Sequence, residues 1–381
     1  MANPLRALAL TALVLFSAAL AAAPLPVPSP PQPAARSWLL QDMHSGRVLA
    51  EHGIDDPVEP ASITKIMTVY AVLHEIRAGN LTLDEQVTVS EKAWRMEGSR
   101  MFIEVGTQVD VEALLKGVII QSGNDASVAL AEHVAGDEAT FAALMNRHAA
   151  RLGMSGTHFV NSTGLPHPEH LTTARDIATV SRALIAEFPE YYGWFADREM
   201  TYNGIKQHNR NRLLWRDPSV DGIKTGHTES AGYCLASSAE RDGMRLIAVV
   251  LGADSEQARA GQSLSLLNYG FRFFETHRLY QAGETVTEVR TWMGAAQSVP
   301  VGPASGDLWI TVPRGRYDQL QPSMEVERQV RAPVRQGQTL GTLSVRLGDE
   351  VVARTPLVAL RDVPEGDLWQ RLSDTVRLWF E

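Results

Sequence analysis

Pro60-Ala61-Ser62-Ile63-Thr64-Lys65 opens a stretch, Ile63 to Arg77, of helical composition with no breaker. On a helix, residues three apart share a face, so the Lys65 amine is expected within reach of the Ser62 hydroxyl. A serine hydroxyl is a poor nucleophile until a neighbouring base takes its proton. Alone the pattern is weak, because an N-cap serine followed by a solvated lysine has the same spelling. The base count adds weight. Of 35 basic residues only five are lysines: Lys65, Lys92, Lys116, Lys206 and Lys224. In a chain that uses Arg wherever a cation will serve, a lysine invites the question of what Arg cannot do there. Arg stays charged, whereas a lysine amine can lose its proton and act as a base.

Two further motifs follow. Ser122-Gly123-Asn124 lies between the apolar strip Val118 to Ile120 and a helical pattern from Ala126, and by itself reads as ordinary loop and cap chemistry. Lys224-Thr225-Gly226 by itself reads as a turn at a strand edge. In order along the chain, the three mean more than any one of them. Ser-x-x-Lys with a later Lys-Thr-Gly is the penicillin-recognising serine signature, and two of the five lysines fall inside it.

The surrounding chain reads as a large mixed domain followed by a small all-β one. With 381 residues, 44% of them hydrophobic, the chain is long enough for two cores. Arg6 precedes an apolar run from Ala7 to Leu20 and small residues at Ala21 to Ala23, a secretory signal assigned to residues 1–21. A proline-rich linker, 22–36, follows and is expected to stand outside the fold. Trp38 to Leu40 and Val48 to Ala50 read as a hairpin around His44-Ser45-Gly46. Helical patterns recur at 111–119, 126–135, 138–152, 174–188 and 260–274, and Arg245 to Leu251 suits a central strand. After about Gly283 the even spacing of Met324, Val326 and Val330, and of Leu343, Val345 and Leu347 beside Gly348-Asp349, predicts half-buried β-structure. The domains are therefore read as 37–283 and 284–362. In the tail, 363–381, Leu368, Trp369, Leu372, Val376, Trp379 and Phe380 share one helical face, which predicts a helix lying flat on a membrane surface.

The net charge of −9 argues against a nucleic-acid binder and against charge-driven attachment to anionic lipid. The single cysteine, Cys234, excludes an internal disulfide framework and any Cys-based metal cluster, and its apolar context suits a small core residue. His158, His167 and His170 straddle Gly164, Pro166 and Pro168 in a loop with no carboxylate arrangement beside them, so no metal is expected.

The chain resembles the low-molecular-weight penicillin-binding proteins that are D-alanyl-D-alanine carboxypeptidases, the penicillin-binding protein 5 and 6 group. Beyond the three motifs, 98–102, 117–125, 152–154, 161–166, 221–228 and 231–233 share that family's phrasing. The resemblance implies an α/β transpeptidase-like catalytic domain, a β-rich second domain and an amphipathic tail. It implies that Ser62 attacks the penultimate D-alanine carbonyl of a peptidoglycan stem pentapeptide, with Lys65 as base. Burial and the nearby Lys224 would help to neutralise Lys65. Ser122 and Lys224 would relay the proton to the departing D-alanine. The backbone N–H groups of Ser62 and His227 would form the oxyanion hole. Asn124 would hold the substrate amide, and Thr225, in the Lys224-Thr225-Gly226 motif, would bind the terminal carboxylate with Arg259. No cofactor enters. β-Lactams would inhibit, and the enzyme would sit in the periplasm on the outer face of the inner membrane.

Two rivals share parts of this pattern. A class A β-lactamase also needs a glutamate to drive deacylation, usually in a Glu-x-x-x-Asn loop. Here Glu138 and Glu169 flank a stretch without glutamate, and neither has Asn four residues on. A non-catalytic wall-binding scaffold or β-lactam sensor would require a broken catalytic set, and all three motifs are intact.

Overall fold

The structure, a computed structural model, describes residues 26–304 and 306–378. The signal assigned to 1–21, the start of the linker, and Trp379 and Phe380 of the tail lie outside the described residues.

Strands β1 (Ser37–Asp42) and β2 (Val48–His52) form the expected antiparallel hairpin, with Gly46 at φ +73° in its turn. Helices α1 (Lys65–Arg77), α2 (Asn124–Ala135), α3 (Glu138–Leu152) and α4 (Ala174–Glu187) come next. Strands β3 (Val220–Thr228), β4 (Gly232–Arg241) and β5 (Met244–Ala253) and helix α5 (Glu256–Phe273) complete the unit. Side-chain caps start three of the helices: Asp137, Thr173 and Ser255 each accept a backbone N–H from the first turn.

The five strands form one sheet in the order β2-β1-β5-β4-β3, with every neighbouring pair antiparallel. Central β5 accounts for the apolar run in the sequence. Ile247, Val249 and Leu251 enter a core shared with α1 to α4, whereas Leu246, Ala248 and Val250 meet Ala260, Leu266 and Leu267 of α5. Successive strand side chains point to opposite faces, and helices cover both, so alternation between apolar and polar residues disappears. Strand β3 lies at the sheet edge. The described part of the linker is not free of the fold. Tyr269 Oη donates to Pro28 O at 3.0 Å and Gln262 Nε2 to Ala34 O at 3.2 Å, tying it along α5.

Phe274–Tyr280 pairs with Leu308–Pro313, and a six-stranded sheet between residues 287 and 359 encloses a core of Val289, Val299, Val301, Leu343, Val345 and Leu357. Gly348-Asp349 turns the hairpin between Thr339–Leu347 and Glu350–Ala359 as expected. Leu343 and Val345 point inward as their spacing predicts, and Val330 is buried, but Met324 and Val326 are exposed. Their strand, Leu320–Val326, lies at one edge of its sheet and is left uncovered along both faces, so even spacing there does not bring burial. The two units touch where Ser45 Oγ meets Thr311 Oγ1 at 2.6 Å and where His44 stacks on Trp309 at 4.4 Å.

Helix α6 (Leu368–Leu378) ends the described chain. Leu368 and Trp369 are 82% and 80% exposed, and Leu372 and Val376 are exposed beside them. Its polar side faces the β-rich unit instead: Asp374 accepts the Met293 N–H at 2.8 Å.

Candidate active site

Ser62 sits in a 3₁₀ turn, Ala61–Thr64, that runs directly into α1. This differs from the continuous helix expected, and it brings the pair closer, because residues three apart eclipse in a 3₁₀ turn. Lys65 Nζ lies 3.2 Å from Ser62 Oγ. Ala61 holds a left-handed backbone, φ +48°, a strained conformation for a residue with a Cβ. Two glycines allow the turn to seat. A Cβ on Gly164 would stand 1.8 Å from Ala61 O, and one on Gly226 would stand 3.1 Å from Ile63 N and Pro60 O. The third support is His170, buried behind the turn. Val160 N–H can only donate, so His170 Nδ1 accepts it at 3.2 Å, and Nε2–H then donates to Thr64 Oγ1 at 2.8 Å. Burial pushes this imidazole down to about 4, so it stays neutral. Among the described residues no group of three or more His, Cys, Asp or Glu side chains could hold a metal ion.

Lys65 is completely buried, and its Nζ also donates to Asn124 Oδ1 and Thr163 O, each at 2.7 Å. Burial lowers the amine from 10.5 to about 7, against the pull of Asp125 and Glu138. The two ammonium groups repel one another, as expected, and Lys224 is held far below its ordinary value by burial first and then by Lys65, Arg259 and Arg210. Lys224 Nζ donates to Ser122 Oγ at 2.9 Å and to Thr225 O at 3.0 Å. Ser122 arrives by an unexpected route. The helix predicted over 111–119 stops at Lys116, and a π turn, Gly117–Gln121, delivers Ser122 in a left-handed conformation, φ +65°.

These groups meet at a cavity of 260 Å³ walled by Ser62, Ser122, Thr225, Gly226, His227 and Arg259, with Ser99, Arg210, Tyr233 and Glu256. Arg259 is no surface charge: it is buried, its Nη1 donates to Gly226 O at 3.0 Å, and its guanidinium lies 5.5 Å from the Tyr233 ring centre. The exposed His227 ring lies 4.0 Å from the same tyrosine. Lys65, Lys224 and Asn124 stand behind the wall. Both ends of the Asn124 amide are engaged, Oδ1 by Lys65 and Nδ2 by Glu97 O at 2.6 Å. Glu138 is occupied elsewhere, accepting from Ser162 Oγ at 2.8 Å and pairing with Lys92 at 2.9 Å.

Sequence reasoning missed Thr163, Glu97, Tyr233 and the support from His170. Thr163 and Glu97 act through backbone carbonyls, which any residue type supplies. Asp125 was also missed as a working residue. Fully buried, it accepts the N–H groups of Met101 and Phe102 at 2.9 Å and of Ile103 at 3.3 Å, fixing the loop over the cavity.

Residues 26–255 match the D-alanyl-D-alanine carboxypeptidase family, and residues 274–365 match the C-terminal domain of penicillin-binding protein 5. The chain is 43% identical over 358 residues to D-alanyl-D-alanine carboxypeptidase DacC of Escherichia coli, covering 92% of this chain and 89% of that one. Penicillin-binding protein 5 from Haemophilus influenzae superposes with a TM-score of 0.85 at 38% identity, covering 88% of this chain and 99% of that one. Penicillin-binding protein D2 from Listeria monocytogenes, in its ampicillin-bound form, superposes with a TM-score of 0.58 at 30% identity, covering 63% and 98%. A buried lysine beside a serine, a second lysine–serine pair and an arginine at the far wall thus stand in a chain that belongs to the D-alanyl-D-alanine carboxypeptidase family.

Proposed function

We propose that Ser62 attacks the carbonyl of the penultimate D-alanine of a peptidoglycan stem pentapeptide while Lys65 takes its proton. The chain is a serine hydrolase of the D-Ala-D-Ala carboxypeptidase class. The observation that carries the role of Lys65 is its complete burial 3.2 Å from Ser62 Oγ, with an amine brought down to about 7. A base poised near the working pH is the most effective one. As the C–N bond breaks, Ser122 protonates the departing D-alanine amine and is resupplied by Lys224, 2.9 Å away, which recovers a proton from Lys65, so both lysines end as they began. Strand β3 lies at the sheet edge, so its backbone can pair with an extended peptide. The N–H groups of Ser62 and His227 take the developing oxyanion, and Thr225 and Arg259 take the terminal carboxylate. Asn124 holds the amine of Lys65 before substrate arrives and the substrate amide afterwards. Water then attacks the ester, returning Ser62 and releasing the shortened peptide.

β-Lactams acylate the same serine and leave slowly. The glutamate on the cavity wall, Glu256, is held by Arg212 at 3.0 Å and Arg259 at 3.5 Å and is not free to activate water. Residues 37–283 form the catalytic domain and 284–362 the β-domain in this reading. Residues 1–21 direct export, and α6 lays its exposed apolar stripe on the outer face of the inner membrane. No helix among the described residues is long and apolar enough to cross a membrane. The test is D-alanine release from a pentapeptide by the purified protein, with labelled penicillin run on a gel. A folded protein that neither releases D-alanine nor takes the label refutes the scheme.

A further inference from the structure

At the Arg259 end of the catalytic cavity the wall already carries a carboxylate, that of Glu256. Ser255 caps α5, accepting the Ala258 N–H at 3.1 Å, so Glu256 opens the helix and Arg259 follows three residues later on the same face. One oxygen, Glu256 Oε1, meets two guanidinium groups unequally. It accepts a hydrogen bond from Arg212 Nε at 3.0 Å, and it lies 3.5 Å from Arg259 Nη2, an ion pair without a hydrogen bond.

Arg259 is buried, and a buried charge needs a partner. Its Nη1 donates to Gly226 O at 3.0 Å and its guanidinium lies 5.5 Å from the Tyr233 ring centre, but neither neighbour is an anion. Burial works against the guanidinium charge, and Glu256 is foremost among the charges that sustain it. Glu256 thus balances Arg259 in the empty enzyme. Once a substrate comes, the same balance works against binding, because two carboxylates on one guanidinium repel each other.

We infer that Glu256 is a placeholder for the terminal carboxylate of the substrate: it pairs with Arg259 while the seat is empty, yields it to the incoming carboxylate, and takes it back as free D-alanine leaves. The asymmetry of its contacts suits this exchange. Glu256 gives up the long contact and keeps the hydrogen bond to Arg212, so no charge is stranded at either stage. The consequence is product release. D-Alanine carries away the carboxylate by which the substrate was held, so an arginine with no competing anion would grip the product as firmly as that end of the substrate. Affinity of that kind lowers KM without raising kcat. The inference rests on the assignment of Arg259 to the terminal carboxylate.

The test uses the full chain carrying Glu256→Gln, which keeps the shape and an oxygen for Arg212. In parallel, Arg212→Gln, at an exposed position outside the catalytic cavity, leaves Glu256 to Arg259 alone. D-Alanine release from a stem pentapeptide gives kcat and KM, and added D-alanine gives its inhibition constant. The pentapeptide carboxamide, with no terminal charge, is measured as a competitive inhibitor. In Glu256→Gln the pentapeptide KM and the D-alanine inhibition constant should both fall roughly fivefold with no rise in kcat, while the carboxamide constant stays unchanged. In Arg212→Gln both should rise. If Glu256 merely orients Arg259, its loss raises the KM instead. That result, unchanged constants, an equal change for the carboxamide, or shifts in the same direction in the two variants overturns the inference. Arg259→Gln separates the placeholder from the seat it serves. If it raises the pentapeptide KM while Glu256→Gln changes nothing, only the placeholder falls; if it leaves the KM unchanged, the carboxylate seat falls with it.

Discussion

Lys65→Arg should nearly abolish acylation in a protein that uses arginine almost everywhere else. At pH 7, an amine with an ordinary value of 10.5 is neutral about once in three thousand, and one held at about 7 is neutral about half the time. Burial thus raises the supply of free base by roughly a thousandfold, and a guanidinium forfeits all of it because it does not deprotonate. Acylation by penicillin and by peptide should fall by about 10²-fold or more, the usual size of a general-base contribution. Arginine would also bury a charge it cannot shed at a site with no exposure, at a cost of several kcal/mol, so Lys65→Met is the companion variant. Between pH 7 and 10.5 the unfolded chain keeps a proton on this lysine that the folded chain has lost. Stability therefore rises with pH across that window, and the wild type bears a cost on the order of 5 kcal/mol at pH 7. Methionine removes that cost but leaves Asn124 Oδ1 and Thr163 O without their donor, about 1–3 kcal/mol each. The two changes roughly offset, so its melting temperature at pH 7 should stay close to wild type, with acylation still lost. In the wild type, the labelled-penicillin acylation rate should fall tenfold per pH unit below about 7 and level off above. Near-normal acylation in a folded Arg or Met variant, or a flat profile from pH 5 to 8, would remove Lys65 as the base.

Three further outcomes follow from the same geometry. Gly226→Ala places a Cβ 3.1 Å from two backbone atoms of the Ser62 turn, so acylation should slow by roughly tenfold while the melting temperature moves little; unchanged acylation refutes the seating argument. His170 stays neutral down to about 4 in the fold but protonates near 6.5 when unfolded. Stability should therefore be lost as pH falls from 6.5 to 4, on the order of 3 kcal/mol, and His170→Gln should remove that component from melting curves measured across the range. Deleting residues 364–381 should leave activity on soluble peptide intact and move the protein from the membrane pellet to the soluble periplasmic fraction; a truncated protein that still pellets disproves the anchor.

The three motifs that meet at the cavity were legible because side-chain chemistry and spacing are written directly in the chain: Ser62 with Lys65, Ser122 with Asn124, Lys224 with Thr225. Central β5 was legible because burial on both faces leaves an unbroken apolar run. What sequence reading missed is mostly backbone. The Thr163 carbonyl, the left-handed Ala61 and the π turn before Ser122 depend on neighbours distant in sequence, and no residue type announces them. Arg259 could not be distinguished by type among so many arginines; only its burial against Gly226 O sets it apart. Met324 and Val326 show the converse failure, a correct strand pattern on a strand that nothing covers on either face.

The three oxygens around Lys65 have unequal abilities. Asn124 Oδ1 and Thr163 O are carbonyl oxygens, able to accept but never to donate; Ser62 Oγ can do either. A charged ammonium has three N–H bonds and spends one on each oxygen. The neutral amine has two N–H bonds and a lone pair, and the carbonyls claim both N–H bonds. The lone pair is then left facing Ser62, the one neighbour with a proton to give. Loss of a single proton therefore inverts the Lys65–Ser62 hydrogen bond. Before, N–H points at Oγ and drains charge from it; afterwards, O–H points at nitrogen, along the path the proton takes in the proposed attack. Before substrate arrives, the Asn124 and Thr163 carbonyls thus act as a polarity switch for Ser62, with only one outward setting.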